Sequence, residues 1–371
     1  MNELDRQVFF SLLSSGLWER PVQLSNWTDA VADKVFHLAE EQSVVGLVAA
    51  GLEHVEERKV TKQQALPFMK YVFSMEGRNV EMNRFIAGLF DQLRDEGIDA
   101  LLVKGQGIAQ CYERPMWRSA GDVDLLLDAD NYEKAKSYLI PRASHVEKEY
   151  KDRLHLGMTI DSWSVELHGS MRNYRLGRVN ECIDEAQEDT FRHGQTRVWM
   201  NEGSAIALPA VDNDVVFVFT HILQHFFEAG IGLRQICDWC RLLWTYRDEI
   251  DQELLAKRLS RVRLQSEWEV LSSLAVNYLG MQSDVIPLYR KSAILDRKAD
   301  RLMAHILRTG NFGHNRDYSY ARKSPYLVRK LISFWKNTQN AFYRFFFFFL
   351  DTLAFYTRDV IYSLRAVGRG E

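Results

Sequence analysis

Asp122 and Asp124 stand one residue apart in the stretch GDVDLLLD, two acids inside an otherwise apolar run. A carboxylate buried in such a run costs several kcal/mol, roughly 2–7 for an unpaired polar group, unless a cation or a hydrogen-bond donor meets it. If the run is a strand, both acids share one side, about 7 Å apart, and Val123 takes the other. Carboxylates at that reach can share one magnesium ion or two. Magnesium prefers hard oxygen ligands and is commonly held by one or two acids together with substrate phosphates, so the pair suits a nucleoside triphosphate. Upstream, Lys104-Gly105 ends the apolar run IDALLV and opens a helix-like stretch, whose backbone N–H groups and N-terminus favour phosphate. Downstream, Glu166 and His168 alternate with Val165 and Leu167 and therefore face the same way.

Elements must position these groups. Helical periodicity runs through the first 95 or so residues, with SLLSSGLW, a helix capped by Ser25 or Asn26, and a long helix from Pro67 to Gly97. Leu89, Phe90 and Leu93 line one face near its end, and Gly97 suits a left-handed cap. IDALLV then reads as a buried strand, followed by a turn and a helix, and DVDLLLD as a second strand at βαβ-like spacing. NYEKAKSYLIP reads as a helix capped by Asp130 or Asn131. The segment MTIDSWSVELHGSM reads as a hairpin with its turn at Asp161 and Ser162. From about residue 181 the pattern is helical again. The expected fold is α+β: a small mixed sheet with flanking helices at residues 95–210, between helical regions at 1–94 and 211–371 that wall a cleft.

The combined motifs resemble the nucleotidyltransferase superfamily that includes DNA polymerase beta and kanamycin nucleotidyltransferase. The chain is more closely similar to a group of uncharacterised bacterial nucleotidyltransferase-like proteins marked by a KG, a Tyr, an Arg, a GDhD strand and an hExH strand. Here these are Lys104-Gly105, Tyr112, Arg118, Gly121 to Asp124, and Val165 to His168. The resemblance implies that Asp122, Asp124 and Glu166 hold two magnesium ions, and that an acceptor hydroxyl attacks the α-phosphate of a nucleoside triphosphate. The acceptor is not legible. Gln106 stands where the superfamily carries a serine, which removes a phosphate-binding hydroxyl; Lys104, Gln106 and Arg118 are the expected replacements. His168 is expected to bind substrate, orient Glu166 or carry a proton. A catalytically inactive binding or scaffold protein with the same fold is the alternative, and the missing serine favours it.

Other features are weighed against plain packing. His221 and His225, four apart on one helix, share a face and suit a substrate cleft or packing better than zinc, since no third ligand is evident. Arg234 and Asp238 have the spacing of a helix ion pair, with Arg234 also within reach of the cleft. Cys237 and Cys240 form a lone CxxC on an amphipathic helix, which favours core packing over metal binding. A net charge of −3 and a sequence pI of about 6.4 give no strong nucleic-acid signal. The start MNELDRQVFF lacks the pattern of a signal peptide, and four cysteines in 371 residues fit a cytoplasmic protein. Residues 321–371 carry nine Lys or Arg against three Asp or Glu around a run of five phenylalanines, an element expected to pack on the helices or to contact a membrane surface or a protein.

Overall fold

The structure, a computed structural model, describes residues 2–56, 60–172, 177–228 and 230–311. The aromatic, basic segment at 321–371 lies outside the described residues.

Four helices precede the sheet: α1 (Glu3–Trp18), α2 (Asp29–Glu41), α3 (Val45–Glu53) and α4 (Lys62–Asp95). The cap of α2 is Thr28, whose side chain accepts from Val31 N, so the boundary falls two or three residues beyond the Ser25 or Asn26 expected. Thr61 and Gln64 form a capping box at the start of α4. Pro67 therefore lies inside the helix, and the helix starts earlier than expected because the box satisfies its first N–H groups. Gly97 adopts φ +66° after its last turn, and Leu89, Phe90 and Leu93 are buried as their spacing requires. Helices α1 and α3 approach so closely that a Cβ on Gly16 would lie 1.8 Å from the Leu47 carbonyl oxygen.

The strands are β1 (Leu101–Val103), β2 (Val123–Leu126), β3 (His145–Val146), β4 (His155–Ile160) and β5 (Trp163–His168), in the sheet order β1-β2-β5-β4-β3. The sheet is mixed: β2 and β5 are parallel, and the other pairings are antiparallel. The β1–β2 pair differs from the parallel βαβ arrangement that the spacing suggested. Its connection holds only the short helix α5 (Gly105–Ala109) and a 3₁₀ turn, with no helix lying across the sheet, and the chain returns at the end where it left, with Val103 opposite Asp124. The hairpin turn falls at Asp161 and Ser162, both with positive φ, as their position predicted. Helix α6 (Ala129–Leu139) is capped by Asp128 rather than Asp130 or Asn131, and Asn131 instead accepts from Asp99 N.

Helix α7 (Gly177–His193) leads to a hairpin that helical periodicity did not reveal, β6 (Thr196–Asn201) and β7 (Ser204–Pro209). It forms a separate two-stranded sheet with β7 against β1 and α4. Five helices follow: α8 (Val211–Glu228), α9 (Leu233–Thr245), α10 (Gln252–Arg261), α11 (Gln265–Leu279) and α12 (Ala293–Thr309). Among the described residues no helix is long and apolar enough to cross a membrane.

Alternation decides what each sheet face meets. Leu102, Val123, Leu125, Val165 and Leu167 pack with the second half of α4 and with α6. Leu101, Val103 and Leu126, on the other face, join a larger core built from α1 to α3 and α8 to α12. The acids of β2 and β5 lie on that second face.

Candidate active site

Asp124 and Glu166 are register partners on the parallel strands β2 and β5, and alternation puts both side chains on one face. Asp122, one residue before β2, lies on the same side and hydrogen-bonds Ser164. All three acids line a cavity of about 390 Å³, within the range of small-molecule sites. The sheet supplies Lys104, Gly105 and the loop from Arg118 to Asp122. The opposite wall comes from α8 and α9 through His221, His225, Arg234 and Gln235, with Ser43 from the turn between α2 and α3 and Tyr71 from α4.

Lys104 bridges the strand end to the acids, its Nζ donating to Asp124 Oδ1 at 3.0 Å. It does so from φ +58° and ψ −145°, a conformation costly for a residue with a side chain, and Gly105 follows at φ +42°. His168 Nε2 lies 2.9 Å from the same Asp124 oxygen and 3.3 Å from Glu166 Oε2. Burial by itself would raise both acids. Lys104 and His168 beside Asp124, and His155 and His168 beside Glu166, outweigh burial and hold both carboxyls below their usual range. Burial lowers His168, but its hydrogen bonds to Asp124 and Glu166 prevail and hold the imidazole above its ordinary value. Asp122 behaves differently. It is exposed at the cavity opening, and crowding by surrounding atoms, then the charges of Glu166 and Asp124, raise its carboxyl.

Three carboxyls therefore converge on a space where Asp122 has no ion-pair partner within contact among the described residues, its charge relieved only by the Ser164 hydrogen bond and the more distant Lys104. A divalent cation with oxygen ligands fits this donor set.

The expected phosphate set is rearranged. Arg118 borders the cavity, yet its Nε and Nη2 donate to the two carboxylate oxygens of Asp238 at 2.7 and 2.8 Å, and Nη1 reaches Ser119 O. Tyr112 also donates to Asp238, at 2.7 Å, from a buried position outside the cavity wall. The Arg234–Asp238 helix pair is thus corrected: Asp238 is taken by a bidentate partner from the loop, and Arg234 Nη1 donates to Ser119 O at 3.0 Å. Arg234 Nε is buried without a hydrogen-bond partner, and the guanidinium overhangs Gly121. Gln106 is buried and turned away, its amide donating to Asn83 Oδ1 at 2.8 Å, so its side chain does not reach the cavity as a replacement for serine. Helix α5 has only five residues, which leaves little dipole for a phosphate.

His221 and His225 both line the cavity, their rings 4.2 Å apart. Burial first, then Lys104, lowers both, His225 to about 4, so both are neutral near pH 7. Cys237 and Cys240 are wholly buried and burial raises their thiols, as core packing requires.

His155 is the site residue that motif reading missed. It pairs with His168 across the hairpin, and its Nε2 lies 3.2 Å from Glu166 Oε2. A two-residue turn at 161–162 places residues whose numbers sum to 323 opposite each other, so the hairpin register held that information.

An acid-lined cavity over a small mixed sheet, walled by helices from both sides in sequence, defines the class of site. The chain belongs to the family described as uncharacterised nucleotidyltransferase, whose model matches residues 28–280, more than half of the 371. Among solved structures, an antigenic nucleotidyltransferase-like protein from Paracoccidioides brasiliensis aligns at 13% identity and a TM-score of 0.33, over 58% of this chain and 97% of that one. No curated protein matches the chain.

Proposed function

We propose that the protein transfers a nucleoside monophosphate from a nucleoside triphosphate to an acceptor hydroxyl or phosphate, with magnesium held by Asp122, Asp124 and Glu166. The observation that carries this reading is the Asp124–Glu166 register, which sets two acids from adjacent strands beside Asp122 on the wall of one cavity. When bound, the cations would neutralise phosphate charge and favour displacement at the α-phosphate. The chain's own residues orient the rest. Lys104 and Arg234 offer positive charge toward phosphate oxygens, and His168 holds Asp124 and Glu166 in place through its ring. Glu166, the acid nearest two imidazoles, is the carboxylate placed to take the proton of an acceptor hydroxyl. The likeness to the polymerase beta superfamily supports the same reading.

A binding protein without turnover is favoured by one observation: Arg118 and Gln106, two of the three expected replacements for the missing serine, are engaged elsewhere.

The test is a thermal-shift and calorimetric titration of wild type and Asp124→Asn with magnesium and each nucleoside triphosphate, followed by assay for labelled nucleotide transfer. The transfer reading expects metal-dependent stabilisation of wild type, abolished in the variant, and turnover that falls by at least about 100-fold on loss of a metal ligand. Stabilisation without turnover leaves the binding protein. No shift with any nucleotide rejects both.

A further inference from the structure

The acid face holds more donor atoms than three carboxylates. Across the β4–β5 hairpin His155 pairs with His168, and the position opposite Glu166 is Gly157, where a Cβ would lie 2.8 Å from the Glu147 carboxylate that stands over it. Glu166 Oε2 lies 3.2 Å from His155 Nε2 and 3.3 Å from His168 Nε2. The ligating atoms of these three residues all lie within 4.8 Å of one another, the one such set found among the described residues. Asp124 Oδ1 lies outside this set, at its edge, 2.9 Å from His168 Nε2.

Each imidazole meets an acid, His155 Nε2 at Glu166 Oε2 and His168 Nε2 at Asp124 Oδ1. The single Nε2 of His168 also stands within reach of Glu166 Oε2, a second acceptor that one N–H serves only by sharing. Glu166 Oε2 in turn faces two imidazole nitrogens. The separations have another meaning, since ligands held at about 2.0–2.2 Å around one ion stand roughly 2.9–3.5 Å from each other. Within the triad the 3.2 and 3.3 Å separations from Glu166 Oε2 fall in that interval, and the two imidazoles lie within 4.8 Å of each other.

Ligand chemistry then selects the ion. Magnesium seeks oxygen and retains water, whereas imidazole nitrogen suits manganese, zinc and related transition metals. We propose that His155, Glu166 and His168, with Asp124 at the edge, form a transition-metal position that prefers Mn²⁺ or Zn²⁺ to Mg²⁺, beside the oxygen-rich position at Asp122. The proposal shares the acid face with the transfer reading, but it concerns metal binding alone and requires neither nucleotide nor turnover.

The test uses the full chain, freed of metal by chelation and dialysis, without nucleotide. Mn²⁺ binding is read by loss of the free-ion electron paramagnetic resonance signal, Zn²⁺ by calorimetry, and Mg²⁺ by its power to displace Mn²⁺. Wild type should bind Mn²⁺ at least tenfold more tightly than Mg²⁺; His155→Ala should weaken Mn²⁺ binding tenfold or more, while His37→Ala, at an exposed histidine outside the cavity, leaves it within about threefold. Equal competition by Mg²⁺, or undiminished binding in a folded His155→Ala, would overturn the proposal. Should that variant fail to fold, Co²⁺ loaded into wild type decides: nitrogen hyperfine or absorption features of imidazole ligation support the site, and an all-oxygen spectrum rejects it. Mn²⁺ selectivity without any triphosphate binding would sink the transfer reading alone, and magnesium-dependent triphosphate binding without Mn²⁺ selectivity would sink this one alone.

Discussion

Arg118 grips Asp238 with Nε and Nη2 across 120 residues of chain, and both side chains are more than nine-tenths buried. The pair ties the loop before the acid strand to α9, and Tyr112 fills a further acceptor position on the same carboxylate. Burial would lower Arg118, but Asp238 more than compensates and holds the guanidinium above its ordinary value. This arginine builds the cavity wall that carries Arg234.

That role predicts asymmetry between breaking and replacing the pair. Arg118→Ala strands a buried carboxylate and should cost about 3–5 kcal/mol in urea unfolding. The double variant Arg118→Leu/Asp238→Leu should recover a large part of that loss. Equal stability of wild type and Arg118→Ala would show that the pair contributes nothing.

Arg234 is a cation on the cavity wall with a spare donor, its buried Nε. Burial first, then the neighbouring Arg118, lowers its affinity for a proton, the sign of a desolvated charge that an anion would stabilise. Arg234→Met should weaken triphosphate binding by about 10- to 100-fold, the worth of one charge-assisted hydrogen bond of roughly 1.5–3 kcal/mol, with little change in melting temperature. Calorimetry checks the first expectation and a melt the second.

Lys104 reverses the usual ranking of glycine and alanine. At φ +58° any side chain is strained, so Lys104→Gly should be more stable than Lys104→Ala by about 1–2 kcal/mol, although both lose the ammonium that meets Asp124. Paired urea titrations measure the difference. Alanine equal to or above glycine would refute the strained turn.

Asp214, on α8 away from the acids, offers a pH signature. Burial pushes its carboxyl up to about 6, and the pull of its ion-pair partner Arg197 only partly offsets this. A carboxyl raised above its unfolded value binds its proton more tightly in the folded chain. Its contribution is fully present below about pH 4 and is lost as pH rises through 6. Between pH 4.5 and 7.5 wild type should therefore lose on the order of 1–3 kcal/mol from this group, a slope that Asp214→Asn removes. The readout is the difference in slope from urea unfolding across pH, since the variant also leaves Arg197 with less compensation.

Local pattern reached far into this molecule. The alternation of GDVDLLLD and VELH assigns acids to one face, because strand side chains have a period of two whatever the strand pairs with. The turn at Asp161 and Ser162 and the end of α4 at Gly97 were legible for the same local reason, and the α+β class follows from those elements. The exact starts of α2 and α6 were not, since several residues near each start can cap and only the fold selects Thr28 and Asp128. Strand β6 exposes its apolar Val198 and Met200, so it does not read as half-buried, although β7 alternates with Ile206 and Leu208 buried.

What tertiary structure decided is which partner each charged group meets. Spacing offered Asp238 to Arg234, one helical turn away, but a guanidinium from a distant loop reaches it in a fork, and desolvation makes that contact the stronger one. Gln106 follows α4 into the interior because Asn83 stands there to receive its amide, a meeting of residues 23 apart that no motif encodes. His155 enters the site only because β4 pairs with β5. The sequence by itself determined the kinds of chemistry available and the faces that carry them; the pairing of strands and the packing of α9 against the loop decided which of those groups remain free to act.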